Sequence, residues 1–281
     1  MRYIFIGDVH SAYDDLSVLV DYLDAPATKF IFLGDYIDGQ PVQHYKFGDQ
    51  ARSLEPLKVL DLIMDRVDQH GDVALLGNHD DFWLGTAANN YEIFRNWQLN
   101  GGARTWTQMG LHGNRLRQLK PQLTAAPYQR YTQFLAQLPL IWETEKLFAV
   151  HAGINWQRPI NAQRREDLLW IRDDYLYEAP LPSLTDVMTG KVDHLPGFHR
   201  NTLGKIMVTG HTPTQTILDH TVFLTMQHDD HDLSRYLIDA GSRSGCYNAG
   251  ITAAVFAESG TLLSTHTVVN QQIYDNARMI K

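Results

Sequence analysis

The stretch RYIFIGDVHSAYDDLSVLVDYL, residues 2–23, holds the pattern on which the fold turns. Tyr3 to Ile6 is a short apolar run suited to a buried strand, and it ends in Gly7, Asp8, Val9 and His10. Beyond that turn, Leu16, Leu19, Val20 and Leu23 recur at i, i+3, i+4 and i+7, the spacing of one helix face. Strand, polar turn and amphipathic helix make a βα unit, and the pattern repeats outward. Phe30 to Leu33 predicts a second strand stopping at Gly34, Leu60, Ile63, Met64 and Val67 a second helix, and Val73 to Leu76 a third strand stopping at Gly77. Strands alternating with helices predict an α/β protein with a mostly parallel sheet.

From Asp81 to about Leu138 the pattern changes to a region rich in Trp, Gln, Asn and Arg, with helical spacing at Tyr131, Phe134, Leu135 and Leu138, and a helical insertion is expected there. Strand signals return at 147–150, 206–208, 235–238, 251–256 and 261–269, and the successive short strands of the C-terminal part suggest a second sheet. Between Tyr175 and Asn201, Pro180, Pro182, Gly190, Pro196 and Gly197 interrupt any periodicity, which predicts a lid loop. The chain is expected to form one domain over 1–281, long enough to bury a core without disulfides.

The 24 basic and 32 acidic residues give a net charge of −8, so the molecule as a whole repels phosphate backbones and anionic membranes. Binding to nucleic acid would need a local basic patch. The single cysteine, Cys246, excludes an internal disulfide framework and any zinc site built on several thiolates, so metal ligands must come from His, Asp, Glu or Asn. The apolar run at Tyr3 to Ile6 is too short for a signal-peptide core, and no stretch of 18 uninterrupted apolar residues occurs. A cytoplasmic protein without membrane partners is expected.

The chemistry lies in the turns at the strand ends. Apolar runs end in GDVH at 7–10, GDYID at 34–38, GNHD at 77–80, HAG at 151–153 and GHT at 210–212. In open α/β sheets the side chains just beyond the carboxyl ends of strands converge on one crevice. Asp8, His10, Asp35, Asn78, His151 and His211 can therefore meet although they lie far apart in sequence. Carboxylate, imidazole and amide ligands without thiolate suit first-row divalent ions, manganese first and iron or zinc as alternatives. A carboxylate shared by two ions builds a dinuclear site of the kind that activates water for in-line displacement at phosphorus.

The ordered set GDVH, GDYID, GNHD, VHAG and VTGHT resembles the metallophosphoesterases, specifically the calcineurin-like phosphoprotein phosphatase branch that holds the Ser/Thr protein phosphatases and the bacterial diadenosine tetraphosphatases. The resemblance runs from Arg2 to about Gly250 and implies the family's four-layer fold, two mixed β-sheets packed as a sandwich and flanked by helices. It implies that Asp8 and His10 bind one metal ion, that Asp35 bridges two, and that Asn78, His151 and His211 bind the second. It makes His79 the acid that protonates the leaving oxygen, Asp38 the carboxylate that orients it, and a metal-bridging hydroxide the nucleophile. The implied reaction is hydrolysis of a phosphomonoester on protein or small molecule, with a dinucleoside polyphosphate as alternative substrate. An alternative of another class is a metal-binding interaction module without catalysis.

Two departures bear on the substrate. Protein phosphatases of this branch carry an arginine after the acid matching Asp38 and another before the GNH motif, where Gly39 and Leu76 stand here. Both arginines grip the oxygens of a phosphomonoester, so their loss shifts expectation toward diesters or nucleotide polyphosphates. The segment Leu168-Leu169-Trp170-Ile171-Arg172 and the triplet Asn100-Gly101-Gly102 resemble stretches of bacterial members, which makes Arg172 the first candidate phosphate clamp, with Arg243 second.

Other residues have plainer expectations. Asp80 reads as a helix cap, and the run His228 to Asp232 as a solvated acidic loop that, like His220 and His266, lies away from the motifs. Tyr91, Phe94, Trp97 and Trp106 read as the packed face of the inserted helices, and Cys246 as a structural thiol.

Overall fold

The computed structural model describes every residue except 46–47, 184, 186–188, 190–195, 219–220 and 277–281. Two sheets organise the chain. The first has the order β13-β12-β11-β1-β2-β5. Its parallel part is β1 (Arg2–Ile6), β2 (Thr28–Phe32) and β5 (Val73–Ala74). On the other side of β1, the strands β11 (Ile251–Ala257), β12 (Leu262–Val269) and β13 (Gln272–Asp275) are antiparallel. The second sheet, ordered β6-β7-β8-β10-β9, comprises β6 (Ile141–Glu143), β7 (Leu147–Val150), β8 (Ile206–Thr209), β9 (Leu224–Met226) and β10 (Arg235–Leu237), with β7, β8 and β10 parallel. A small hairpin, β3 (Val42–Tyr45) and β4 (Gly48–Ala51), stands apart from both.

This corrects the expectation that the C-terminal strands build the second sheet. Arg2 pairs with Ala257 and Ile6 with Ala253, so the last strands extend the first sheet, and the second sheet is made from the middle of the chain. Apolar runs set strand identity but not strand partner, which is why sequence alone misassigns them.

Alternation along the strands explains the layering. Phe5, Ile31 and Leu33 meet Leu147, Ala149 and Val208 of the second sheet in a dry layer between the two sheets. Their neighbours Ile4, Ile6, Phe30 and Phe32 point the other way, onto α1 (Tyr13–Leu23) and α2 (Pro56–His70) through Leu16, Leu19, Leu60 and Ile63. Likewise Phe148, Val150 and Met207 turn outward onto α8 (Arg165–Trp170) and α9 (Asp173–Leu176). Strands covered on both faces need apolar residues at every position, and that is why they read as continuous runs rather than alternating ones. Complete burial of a side chain such as Phe5 stabilises by about 1.5–3 kcal/mol. The result is helix, sheet, sheet, helix.

The interval 81–138 carries helices that begin slightly earlier than expected. They are α3 (Asn78–Ala87), α4 (Tyr91–Leu99), α5 (Gly102–Met109), α6 (Leu116–Leu123) and α7 (Gln129–Gln137). Phe94, Trp97 and Trp106 are buried among them as expected, whereas Tyr91 is exposed. The segment Tyr175 to Asn201 is fastened at its ends: the buried Arg235 guanidinium donates to the carbonyls of Tyr175 at 2.7 Å and His199 at 2.6 Å. The middle of that expected lid, and His220, lie outside the described residues. In the run 228–232, Asp232 is buried and accepts the backbone N–H groups of Asn201 and His228, so this loop is tied down rather than merely solvated.

Candidate metal centre

The parallel strands of both sheets end on one side of the molecule, and the turns after them are stitched together. The N–H groups of Val9 and His10 both donate to the Asp35 carbonyl, at 3.1 and 2.8 Å, and Gly210 donates to the His151 carbonyl at 2.8 Å. These turns bend tightly. His10, Asp35, Asp38, His211 and Arg243 all adopt positive φ, between 48° and 70°, a region that costs a non-glycine residue on the order of 1 kcal/mol or more. Such strain concentrated in the turns of one crevice points to function. Gly77 is required by close approach: a Cβ there would stand 2.1 Å from the Asp35 nitrogen and 2.2 Å from its Oδ1.

Five of the six expected ligands, His10, Asp35, Asn78, His151 and His211, come together, while Asp8 is buried beside the His211 turn and its carboxylate belongs to neither candidate ligand group. Asp35 has Nε2 of His151 3.5 Å from Oδ1 and Nε2 of His10 3.6 Å from Oδ2. Oδ1 of Asn78 lies 2.8 Å from Nε2 of His151 and 2.7 Å from Nδ1 of His211. Asp8 is buried and accepts the His211 N–H with both oxygens, at 3.0 and 3.1 Å. Two groups could each hold an ion, His10 with Asp35 and His79, and Asp35 with His151 and His211; within each the ligand atoms lie within 4.8 Å of one another, and both groups share Asp35.

The donors are set in the ligand state. Nδ1 of His151 bonds the Leu33 carbonyl at 2.9 Å and Nδ1 of His10 the Ile37 carbonyl at 3.0 Å. A carbonyl only accepts, so the proton sits on Nδ1 and the Nε2 lone pair faces inward. Burial lowers the pKa of His10, His151 and His211, which keeps these imidazoles neutral, the form that binds metal. Burial, with Asp239 and Asp35 close by, raises Asp8 well above its ordinary range, and burial pushes Asp239 up to about 7. Burial works against ionised Asp35 too, yet in the acid range where it would take up a proton the imidazoles around it, led by His151 and His79, attract its charge and hold its pKa well below the usual value. Buried acids whose charges repel, opposite neutral imidazoles about 3 Å from a shared oxygen, fit divalent ions: ligands roughly 2.1 Å from an ion lie roughly 3 Å from each other.

His79 lies beside this cluster, the second residue of α3, with its N–H on Asp35 Oδ1 at 2.9 Å. Its Nδ1 donates to Asp38 Oδ2 at 2.7 Å, leaving Nε2 as the nitrogen available to a substrate. Burial would lower its pKa, but the Asp35 charge and the bond to Asp38 push it up to about 9. Asp80, expected as a cap, accepts the N–H groups of Gly77, Asp35 and Tyr36, closing the first turn of α3 onto the turn that carries Asp35.

The two candidate clamps differ. Arg172 lines the cleft and donates through Nη1 to the His211 carbonyl at 3.0 Å and Thr212 Oγ1 at 3.1 Å. Arg243 also lines the cleft, but it is 2% exposed and its guanidinium ends on Asp14 at 2.5 Å and Asp15 at 3.5 Å. Gly39 has φ +129°, and a Cβ there would meet Arg243 Cβ at 2.7 Å and the His10 carbonyl at 2.9 Å, so no side chain fits. Leu76 is buried in the helix-side core. Sequence reasoning missed Arg104 of α5, an exposed arginine lining the cleft with Nε 3.3 Å from the Gly39 carbonyl. It also missed Asp239, although a strand running straight into Asp-Ala-Gly is the same signal as the other five turns.

Fold and site together define a metal-dependent hydrolase of phosphoric esters. The chain belongs to the calcineurin-like phosphoesterases, whose family model matches residues 1–221. No curated protein matches it by sequence. Among solved structures it is similar to a candidate diadenosine tetraphosphatase, at 17% identity over 96% of this chain and 94% of that one, with a TM-score of 0.55. A hypothetical protein of Pyrococcus horikoshii OT3 matches at 11% identity over 95% and 88%, with a TM-score of 0.50. A Saccharomyces cerevisiae Ser/Thr phosphatase with similarity to human PP5 matches at 15% identity over 98% and 78%, with a TM-score of 0.49. Among the described residues no helix is long and apolar enough to cross a membrane.

Proposed function

We propose that the chain hydrolyses phosphomonoesters on protein or small molecules with two divalent ions, manganese in the first instance, held by Asp8, His10, Asp35, Asn78, His151 and His211. The observation that carries this reading is the Asp35 carboxylate, which faces His10 with one oxygen and His151 with the other and accepts the backbone N–H of His79. Bound there, divalent ions would acidify a water and neutralise charge on the phosphoryl oxygens. His79 holds a proton on the nitrogen facing the cleft and gives it to the leaving oxygen, while Asp38 fixes the ring and stabilises its charged form. Arg172 grips a non-bridging oxygen and, by its bond to the His211 carbonyl, is registered to the ligand turn. The ordered His79–Asp38 pair favours catalysis over a purely binding module.

A second reading is supported by Arg104. With Arg172 it gives the cleft two exposed cations, which suits a substrate with more than one phosphate, such as a dinucleoside polyphosphate. Initial rates of Mn-loaded protein on an aryl phosphomonoester, its diester, a phosphoserine peptide and diadenosine tetraphosphate test both readings. Preference for the monoesters supports the first, preference for the tetraphosphate the second, and no turnover on any of them with metal bound contradicts both.

A further inference from the structure

The Asp38 carboxylate receives more than the imidazole. Nε1 of Trp97 donates to both of its oxygens, 2.9 Å from Oδ2 and 3.0 Å from Oδ1, and the Thr105 hydroxyl donates to Oδ1. These donors come from α4 and α5 of the helical insertion, and Trp97, Thr105 and Asp38 are all at most 1% exposed. Asp38 itself sits at φ +65°, a disfavoured conformation for a non-glycine residue that the contacts around it must hold. Trp97 is fixed in turn by aromatic packing, edge to face against Trp106 with centroids 5.4 Å apart and tilted against Trp83 at 6.5 Å.

From this geometry we infer that Trp97 and Thr105 are positioning residues for proton delivery. A carboxylate can rotate about its Cβ–Cγ bond, and a single bond to His79 would leave that rotation free. Donors on both oxygens fix the plane, and the fixed plane sets the direction of the Oδ2 lone pair that orients the His79 ring. Trp97 and Thr105 thereby fix where Nε2 of His79 points, and the helical insertion, through its packing, supports the catalytic proton transfer. The inference rests on the reading of His79 as the proton donor.

The test separates proton delivery from mere folding by changing the leaving group. Trp97→Phe keeps the aromatic packing and Thr105→Val keeps the shape, while each removes one donor. Mn-loaded wild type, both variants, Thr105→Ser and His79→Asn are assayed on 2,4-dinitrophenyl phosphate, whose leaving group needs no proton, and on phenyl phosphate, whose leaving group does. The expected result is a kcat loss of about 10- to 100-fold on phenyl phosphate for Trp97→Phe and Thr105→Val, within the range a general acid supplies, with little change in KM. Dinitrophenyl phosphate should be nearly unaffected, and Thr105→Ser should restore the wild-type ratio. Equal losses on both substrates, or none on either, overturn the inference, and Thr105→Val carries the test if Trp97→Phe does not fold. If His79→Asn separates the two substrates and the donor variants do not, the positioning role alone is wrong. If His79→Asn slows both alike, the proton-donor reading fails and this inference falls with it.

Discussion

Nη2 of Arg243 lies 2.5 Å from Oδ1 of Asp14, and this pair turns the most buried arginine of the cleft away from the substrate space. Arg243 comes from the loop after β10 and Asp14 from the first turn of α1, so the pair ties the second sheet's last cleft turn to the first helix. Arg52 meets the same carboxylate from the other side. This geometry favours Arg243 as a fastening over the clamp expected from sequence.

Arg243→Ala should leave buried Asp15 with Arg52 at 3.8 Å as its remaining cation and lower stability by about 1–3 kcal/mol, the scale for a buried polar group that loses a partner. Thermal unfolding of the metal-loaded protein measures it. A Tm within a degree of wild type, with KM raised instead, would return Arg243 to the role of a clamp.

Arg172 should behave in the opposite way. Arg172→Ala removes a charged hydrogen-bond donor from an exposed position in the cleft, so kcat/KM should fall about 10- to 100-fold, with Tm little changed. Arg104→Ala should raise KM for diadenosine tetraphosphate more than for an aryl monoester. Equal effects of Arg104→Ala on both substrates would remove the argument for a second phosphate.

The arginine absent at residue 39 should not be restorable. Gly39→Arg forces a Cβ against Arg243 Cβ and the His10 carbonyl at a φ of +129°, so the variant should lose stability and bind metal more weakly rather than gain monoesterase activity. A folded variant with raised activity would contradict the geometry.

The pH dependence is set by His79. As a proton donor it must be charged, so activity should be retained below its pKa and fall as pH rises through it, at a pH below the metal-free value of about 9 because ions that neutralise Asp35 remove part of what raises it, and His79→Asn should abolish that limb with an overall loss of about 10²- to 10⁴-fold. Stability of the metal-stripped protein carries the same sign. A folded pKa of about 9 against an ordinary 6.5 contributes stability that is fully present below 6.5 and lost as pH rises through 9. Asp239, raised to about 7, and Asp80, raised to about 8 by burial and the Asp35 charge, act with the same sign but lower in pH, their contributions falling from the ordinary carboxylate value of 3.8 up to about 7 and about 8. The Tm of stripped protein should fall between pH 6.5 and 9, and Mn, which neutralises Asp35, Asp8 and their neighbours, should flatten the fall. A Tm that rises over that interval would reverse the sign.

Much of the fold and site is legible in the sequence because strand ends carry their chemistry with them. Gly7-Asp8, Gly34-Asp35 and Gly77-Asn78 each pair an apolar run with a turn and a metal-capable side chain, a signal local enough for sequence to hold. Pairing between distant strands is not local, so nothing in the runs themselves places β11 to β13 in the first sheet rather than the second. Trp97 shows a different limit. Its spacing on α4 predicts burial, and burial is right, but nothing in the spacing says that its indole N–H ends on Asp38, because that contact depends on how α4 docks against the turn after β2. Arg104 is invisible for a similar reason, since only the approach of α5 to Gly39 brings it to the cleft.

The most direct measurement is the initial rate of aryl phosphate hydrolysis as stripped protein is titrated with Mn, for wild type and Asp35→Asn, with bound metal counted at each point. The account predicts no turnover without metal, activity that rises until about two ions per chain are bound, and an Asp35→Asn protein that folds, binds less metal and turns over at least about 100-fold more slowly. Full activity at one ion per chain, or an Asp35→Asn variant as active as wild type, would contradict it.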